Sequence, residues 1–468
     1  MATKWLRPGM RIHLVGIGGI GLSAIARVLH GWGYRVSGSD RQPSALTETL
    51  ASEGMTIYAG HRADQVADAE VVIMSSAVAE DNPEVVEARR RGIPVVKRSQ
   101  FLADLTAGKV TIAVAGTHGK TTTSAMIAWI LVQAGLDPTF IAGGVLANLG
   151  TNARAGHGPH FVIEADEYDR AFLGLWPQVA VITTIEHDHP DCYPTFQEMR
   201  DAFARFAVQA RASGLLIVGG DDREAQALGN TWHRIGGQVV TFGLGSGWDW
   251  RAEQVQVGME SGFEVWHAGR RLGRCALQLP GRHNVLNALA ALAAADVIGV
   301  PFETAAGALA EFRGTARRFE LKGEAGGVTV VDDYAHHPTE IRATLAAAQA
   351  RYPGRTIWVV FQPHTYSRTA ALLKEFGTAF GDADHVIVTG IYAARESDTL
   401  GMSGADVAAQ VRLSGHSNVE YVETLDGAAA AVLERVGAGD LVLTLGAGDG
   451  YLVGEWVLNR LKCRGGGV

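Results

Sequence analysis

Residues 110–134 read VTIAVAGTHGKTTTSAMIAWILVQA: a short β-branched run, a glycine loop, then a helix that is apolar nearly all round. A strand without polar alternation must be covered on both faces, and a helix apolar on every side must be buried on several. A parallel sheet wrapped by helices meets both demands, so this one segment points to an α/β fold. The loop Gly116-Thr117-His118-Gly119-Lys120-Thr121-Thr122-Thr123 sits between strand and helix, where backbone N–H groups and a helix N-terminus cradle phosphate oxygens. Lys120 would neutralise the β- and γ-phosphates of a nucleotide, and Thr121 would ligate Mg²⁺. The longer GxxxxGK[ST] form needs glycine at position 114, where this chain has Val114, so the loop is a shorter variant.

The alternation of strand, glycine turn and helix restarts three times. The first unit has strands at residues 12–15, 34–37, 71–74 and 94–96. The second has 110–115, 161–163, 179–183 and 215–218, and the third 328–331, 357–361, 385–388 and 441–445. A chain of 468 residues, at about 150 per domain, also suggests roughly three. Boundaries fall near Gly108 and Leu321, giving units 1–107, 108–320 and 321–468. From 248 to 278 polar and apolar residues alternate between glycine turns, which suggests a small antiparallel insertion before the helix that follows Asn284.

Hydrophobic residues at 47% and charged residues at 19% allow large cores and exclude disorder. A net charge of -8 gives no basic footprint for nucleic acid or anionic membrane, so an anionic ligand must be met locally. Cys192, Cys275 and Cys463 have no paired spacing, which fits a reducing compartment and neither disulfides nor zinc. Residues 1–9 lack an apolar signal core, and the greasiest stretch, 125–132, is too short to span a bilayer, so a cytoplasmic location is expected. Residues 464–468 read as a frayed tail.

Further motifs carry chemistry. Gly16-Ile-Gly18-Gly19-Ile-Gly21 has GxGxxG spacing after a strand, with Asp40 at the end of the next one. The mechanics suit a dinucleotide, another diphosphate, or close helix packing. Glu164-Ala-Asp-Glu-Tyr-Asp169 and Glu186-His-Asp-His189-Pro-Asp191 both follow strands of the P-loop unit. They offer oxygen ligands and a histidine to Mg²⁺ or Mn²⁺, or else form solvated acidic loops. In Pro280-Gly-Arg-His283-Asn-Val-Leu-Asn287, Asn284 is a plausible helix N-cap, while His283 and Asn287 could hydrogen-bond a purine. Arg317 and Arg318 could clamp a triphosphate or belong to a solvated charge run. Asp332-Asp-Tyr334-Ala-His336-His-Pro338 and Gln362-Pro-His-Thr-Tyr-Ser-Arg368 again place polar groups after strands, with Arg368 able to pair with a substrate carboxylate.

Together GTHGKTTT, EADE, DHPD, GRHNVLNALAA, RRFE and DDYAHHP resemble the Mur ligases, in order along the whole chain. IYAARE, FQPHTYSR and GIGGIGLSAIA are most similar to the members that join L-alanine to UDP-N-acetylmuramate. The resemblance implies an α/β protein of three domains. The N-terminal one would be Rossmann-like, the central one a P-loop ATPase-like domain with a parallel sheet and a small antiparallel insertion, and the C-terminal one Rossmann-like. It implies UDP-sugar binding by Gly16, Gly18, Gly19, Gly21, Asp40, Ser75 and Ser76. ATP would meet Gly116, Thr117, His118, Gly119, Lys120, Thr121, Thr122, His283, Asn287 and Arg318. Mg²⁺ (or Mn²⁺) would meet Thr121, Glu164 and His189, and the amino acid Tyr334, His336 and Arg368. Lys120, His189, His336 and Arg368 are the residues to which it assigns catalysis. Partners are then the small molecules UDP-N-acetylmuramate, L-alanine and ATP, with no nucleic acid or membrane, for a monomer or homodimer. Two departures stand out. Some relatives have arginine where this chain has Thr365, and others use a carbamylated lysine, whereas no lysine lies between Lys120 and Lys322.

Overall fold

The computed structural model describes residues 4–210, 214–258 and 260–465, and their strands form three sheets. The first is all parallel, in the spatial order Thr56–Ala59, Arg35–Asp40, Arg11–Val15, Val71–Met74, Val95–Lys97. Thr56–Ala59 was not expected from sequence, because this edge strand is only half covered and shows little apolar patterning.

The central sheet has ten strands. Its parallel core runs Gln238–Gly243, Leu215–Gly219, Val179–Ile182, Val110–Ala115, His160–Glu164, Thr139–Leu146. The expected antiparallel segment is there as Trp250–Gln256, Ser261–His267 and Arg270–Leu277. It is no separate insertion: Phe242 pairs with Trp250 and Gly243 with Arg251, so the meander extends the same sheet. At the opposite edge, Thr151–Arg154 pairs antiparallel with Thr139–Leu146, a hairpin whose glycines 143 and 144 obscure any strand period.

The helix Lys120–Gln133 is buried on nearly every face, as its composition requires, and packs against Arg282–Val297. Gly281, not Asn284, is the N-cap of that second helix. Asn284 lies within the first turn and donates its amide to the Pro280 carbonyl at 2.7 Å.

In the third sheet Glu320–Ala325 pairs antiparallel with Val328–Asp333, followed in space by the parallel strands Leu441–Leu445, Ile357–Phe361, His385–Val388 and Val419–Tyr421. Glu320 therefore already belongs to this sheet. The last helix, Tyr451–Gly465, takes in the start of the expected frayed tail, and residues 1–3 and 466–468 lie outside the described residues. No described helix is long and apolar enough to cross a membrane.

The apolar cores are distributed unevenly. One cluster runs from Leu6 and Ile25 in the first unit to Phe172, Phe203 and Trp232 in the second, so those two share a core. The third unit has cores of its own, around Phe361 and around Val442, whose buried residues all come from that unit, with Phe319 packed against the first core. Leu289 is fully buried in the central core. Leu289→Ala is expected to cost about 2–5 kcal/mol through lost contacts and a residual cavity, read as a lower urea midpoint for the central unit.

Candidate active site

In open parallel sheets ligands bind beyond the carboxyl ends of the strands, where neighbouring strands lead off to opposite sides. In the first sheet that point lies between Arg11–Val15 and Val71–Met74, so the glycine loop faces Ser75. Ser76 is exposed beside it. Gly16 and Ile17 donate their N–H groups to the Ser39 carbonyl at 2.8 and 3.0 Å, and Gly19 begins the helix Ile20–Gly31. Asp40 accepts the Gly18 N–H at 2.8 Å, so one of its oxygens shapes the loop rather than awaiting a ribose. Arg98, which no motif singled out, rests its guanidinium on Gly21 and donates to Asp166 of the central sheet at 3.0 Å.

The P-loop is laced to the chain leaving the next strand. Thr117 donates its N–H to Thr184 O at 2.8 Å and its hydroxyl to Glu186 O at 3.0 Å, and His118 N–H reaches Thr184 Oγ1 at 3.1 Å. Gly116 and Gly119 have φ of 134° and 81°, and a Cβ would strike Thr183 Oγ1 at the first and Asn287 Oδ1 at the second. Glycine is thus required twice by backbone conformation and by space. Lys120 spends its ammonium on Gly116 O at 2.7 Å, Thr117 O at 3.0 Å and Glu167 Oε1 at 2.9 Å. Burial works against this charge, but Glu167, Glu164 and Asp166 together outweigh it and the lysine pKa rises.

A cavity of about 270 Å³ opens beside the loop, lined by His118, Gly119, Thr121, Thr122, His283, Asn287 and Arg318. Seven of the ten residues expected at ATP thus line one cavity, while Gly116, Thr117 and Lys120 are not in its lining. Burial pushes His283 down to about 4, which keeps it neutral, with a ring edge suited to hydrogen-bonding a base. Asn287 also has structural work: it accepts from Thr123 Oγ1 at 3.2 Å and donates to Asn284 Oδ1 at 3.2 Å. The two arginines at the junction separate. Arg318 faces the cavity, but Arg317 is spent on Asp332 at 3.0 Å and on the carbonyls of Gly448 and Gly446 at 2.9 and 2.7 Å, so it does not clamp phosphate.

From the third unit, Arg368 enters the carboxyl edge of the central sheet. It is 3% exposed, and its guanidinium meets Asp188 Oδ1 at 2.8 Å, His364 Nδ1 at 3.0 Å and His189 Nδ1 at 3.2 Å. It is therefore already paired with a carboxylate of the protein, which a substrate carboxylate would have to displace or join. His336 Nδ1 lies 2.9 Å from Tyr334 O, and burial pushes its pKa down to about 3, so this ring is a neutral hydrogen-bonding group rather than a proton store. Tyr334 packs against both Arg317 and Arg318. Several non-glycine residues here hold positive φ: His189 at 55°, Arg317 at 59°, Phe319 at 50° and Thr365 at 64°. Such strain persists where surrounding structure over-determines it, commonly at functional sites.

Of the three residues expected at a metal, Thr121 and Glu164 meet, with Thr121 Oγ1 3.1 Å from Glu164 Oε1. His189 instead neighbours Glu167, its Nε2 3.5 Å from Glu167 Oε1, while Glu167 Oε2 is buried with no hydrogen-bond partner. Burial raises the Glu164 carboxyl above its ordinary range, a cost that a bound cation would remove. Among the described residues one other group has three potential metal ligands within 4.8 Å: His118, Glu186 and His337. His118, however, meets Glu186 Oε2 at 2.9 Å through Nε2 and Glu340 Oε1 at 3.2 Å through Nδ1. Burial alone would lower its pKa, but the Glu186 and Glu340 carboxylates overcome that and raise it to about 9. Both ring nitrogens then carry protons, so His118 is an ion-pair partner with no lone pair to give a metal. Glu167, Glu186 and Asp188 had a signal in their acidic motifs. Arg98 and Glu340 had none.

The chain matches three family models in sequence: residues 11–110 match "Mur ligase family, catalytic domain", 114–295 "Mur ligase middle domain", and 317–448 "Mur ligase, glutamate ligase domain". It is 48% identical to a UDP-N-acetylmuramate–L-alanine ligase of Geobacter sp. (strain M21), covering 97% of this chain and 98% of that one. The enzyme of that name from Myxococcus xanthus (strain DK1622) is 46% identical over 97% of this chain and 96% of its own. The crystal structure of UDP-N-acetylmuramate-alanine ligase from Thermotoga maritima superposes with a TM-score of 0.82 at 32% identity, covering 97% of this chain and 100% of that one.

The His118 ion pair has a defined pH window. Its folded pKa lies above the ordinary imidazole value, so its stabilisation is complete below about 6.5, declines above that, and is lost as pH rises through about 9. An NMR titration of the His118 ring is expected to show a midpoint near 9. A midpoint at the ordinary histidine value would contradict the two-carboxylate arrangement.

Proposed function

The chain belongs to the Mur ligase family, and we propose how its three units divide the reaction among them. It is an ATP-dependent ligase that joins L-alanine to the lactyl carboxylate of UDP-N-acetylmuramate through an acyl phosphate, in peptidoglycan precursor synthesis. One observation carries the division of labour: a cation from each unit is paired with a carboxylate on the same edge of the central sheet. These pairs are Arg98 with Asp166 at 3.0 Å, Lys120 with Glu167 at 2.9 Å and Arg368 with Asp188 at 2.8 Å. Each cation is held where an anionic substrate group would arrive.

In this reading the glycine loop at 16–21, with Asp40, Ser75, Ser76 and Arg98, takes the UDP-sugar. The P-loop takes the triphosphate, where Lys120 exchanges its carbonyl contacts for β- and γ-phosphate oxygens. His283 and Asn287 meet the base. Thr121 and Glu164 would hold Mg²⁺ (or Mn²⁺), with Glu167 and His189 adjacent. Hard oxygen donors suit such an ion, and when bound it supplies neutralisation of phosphate charge. Tyr334, His336 and Arg368 orient L-alanine.

A lactyl carboxylate oxygen attacks the γ-phosphorus, the bond to the bridging oxygen breaks, and ADP departs with the charge, which Lys120 stabilises. The alanine amine then attacks the acyl phosphate carbonyl. The tetrahedral intermediate loses a proton and expels phosphate, leaving the amide. Because the groups come from different units, the third unit must close on the other two and exclude water that would hydrolyse the intermediate. We place the reaction in the cytoplasm, where ATP is supplied and the three free cysteines stay reduced.

Sustained turnover to ADP is expected only when ATP, UDP-N-acetylmuramate and L-alanine are all present, in a coupled assay with each omitted in turn. ADP released equally well without the sugar nucleotide would defeat this reading. Lys120→Ala should abolish acyl phosphate formation, lowering kcat by about 10³-fold or more while UDP-sugar binding persists in a calorimetric titration. Arg98→Ala should do the converse, raising the Kd for UDP-sugar about tenfold with little change in the KM for ATP.

A further inference from the structure

Glu340 stands in the first turn of the helix Pro338–Arg351, in the third unit, and its two oxygens face different half-sites. Oε1 lies 3.2 Å from His118 Nδ1 and 3.8 Å from Arg318 Nη1, two cations on the wall of the nucleotide cavity. Oε2 accepts the backbone N–H of His336 at 3.1 Å and of His337 at 3.3 Å, and lies 3.5 Å from His336 Nδ1, on the side assigned to the amino acid.

Capping the helix accounts for Oε2 and requires no charge, since a glutamine carbonyl would accept the same N–H groups. It does not account for Oε1, a nearly buried anionic oxygen aimed across the boundary between units at the P-loop. Around His118 the other facing groups are Glu186 at Nε2, the Thr184 hydroxyl at its N–H, and the His337 ring with centroids 4.9 Å apart. Glu186 is in turn held by the Thr339 hydroxyl at 2.8 Å, again from the third unit. Of the two carboxylates on the His118 ring, Glu340 belongs to the third unit, and Glu186, of the central unit, is itself hydrogen-bonded from the third.

We propose that Glu340 is a positioning residue that couples nucleotide binding to amino acid binding, its single carboxylate bracing His118 and Arg318 from behind while fixing the backbone of His336. This rests on the ligase reading above. A triphosphate entering the cavity meets cations already held by Glu340, which costs less reorganisation than recruiting them from solvent. Phosphate on one side and carboxylate on the other then hold the third unit closed, with His336 in place. By linkage, L-alanine tightens nucleotide binding by the same factor.

The test measures the Kd of the non-hydrolysable analogue AMP-PNP on the full chain loaded with UDP-N-acetylmuramate, with and without saturating L-alanine. Wild type is expected to show a ratio of about fivefold or more. Glu340→Gln, which keeps the cap and removes the charge, should bring the ratio to about one, with the Kd for UDP-sugar unchanged and kcat lowered more than the KM for that sugar. His118→Asn breaks the same contact without touching the cap and should do likewise. The double variant should lose no more than either single one. A Glu340→Gln or His118→Asn protein that keeps the wild-type ratio overturns the proposal, as does a double variant whose losses multiply. Should Glu340→Gln fail to fold, His118→Asn alone decides it. Failure of the ligase reading is distinct, since wild type would then form no ADP with all three substrates.

Discussion

The arrangement of the molecule depends on charge that cannot stand alone out of water. Asp188 and Arg368 are about 5% exposed and 2.8 Å apart, one on the central sheet and the other in the third unit. Removing either would leave an uncompensated buried charge at a cost of about 3–5 kcal/mol. Lys120 with Glu167, and Arg98 with Asp166, repeat the pattern at decreasing burial. The carboxyl edge of the central sheet thus collects a cation from every unit. On the same edge burial raises the pKa of Glu164, a carboxylate outside these three pairs. Anionic substrates and a divalent cation would complete a charge balance that protein groups hold only provisionally.

How the units are joined follows from what lies between them. The first and second share one apolar core, an interface whose opening would expose large hydrophobic surface. The third meets the central unit through Arg368, Glu340 and Thr339, groups that water can solvate when they part. A third unit held to the other two by such polar contacts suits a reaction whose acyl phosphate must be shielded from water and whose products must then leave. The strained residues Arg317 and Phe319 lie in the segment that connects the two.

The acidic edge was legible only in part. EADE and EHDHPD announced oxygen ligands after strands, but not which carboxylate meets which cation. Thr121 and Glu164 come together as expected, while His189 turns to Glu167 and Arg368. Arg317 and Arg318 are adjacent and chemically identical in sequence, yet the first is consumed by Asp332 and two carbonyls and the second faces the cavity. Arg98 and Glu340 are ordinary charged residues at helix starts, and only their partners, 68 and 222 residues away along the chain, give them roles.

By itself the chain determined its α/β class and the places where strands give way to glycine loops, because hydrophobic period and turn chemistry are local properties of the backbone. It also announced the P-loop, since Gly116, Gly119, Lys120 and Thr121 act within one turn of each other. Tertiary structure alone decided that the 250–277 meander extends the central sheet, that Gly281 rather than Asn284 caps its helix, and which charges neutralise which. Those outcomes depend on distances between segments remote in sequence. Electrostatic and packing energies are set by such distances, and no local pattern of residues encodes them.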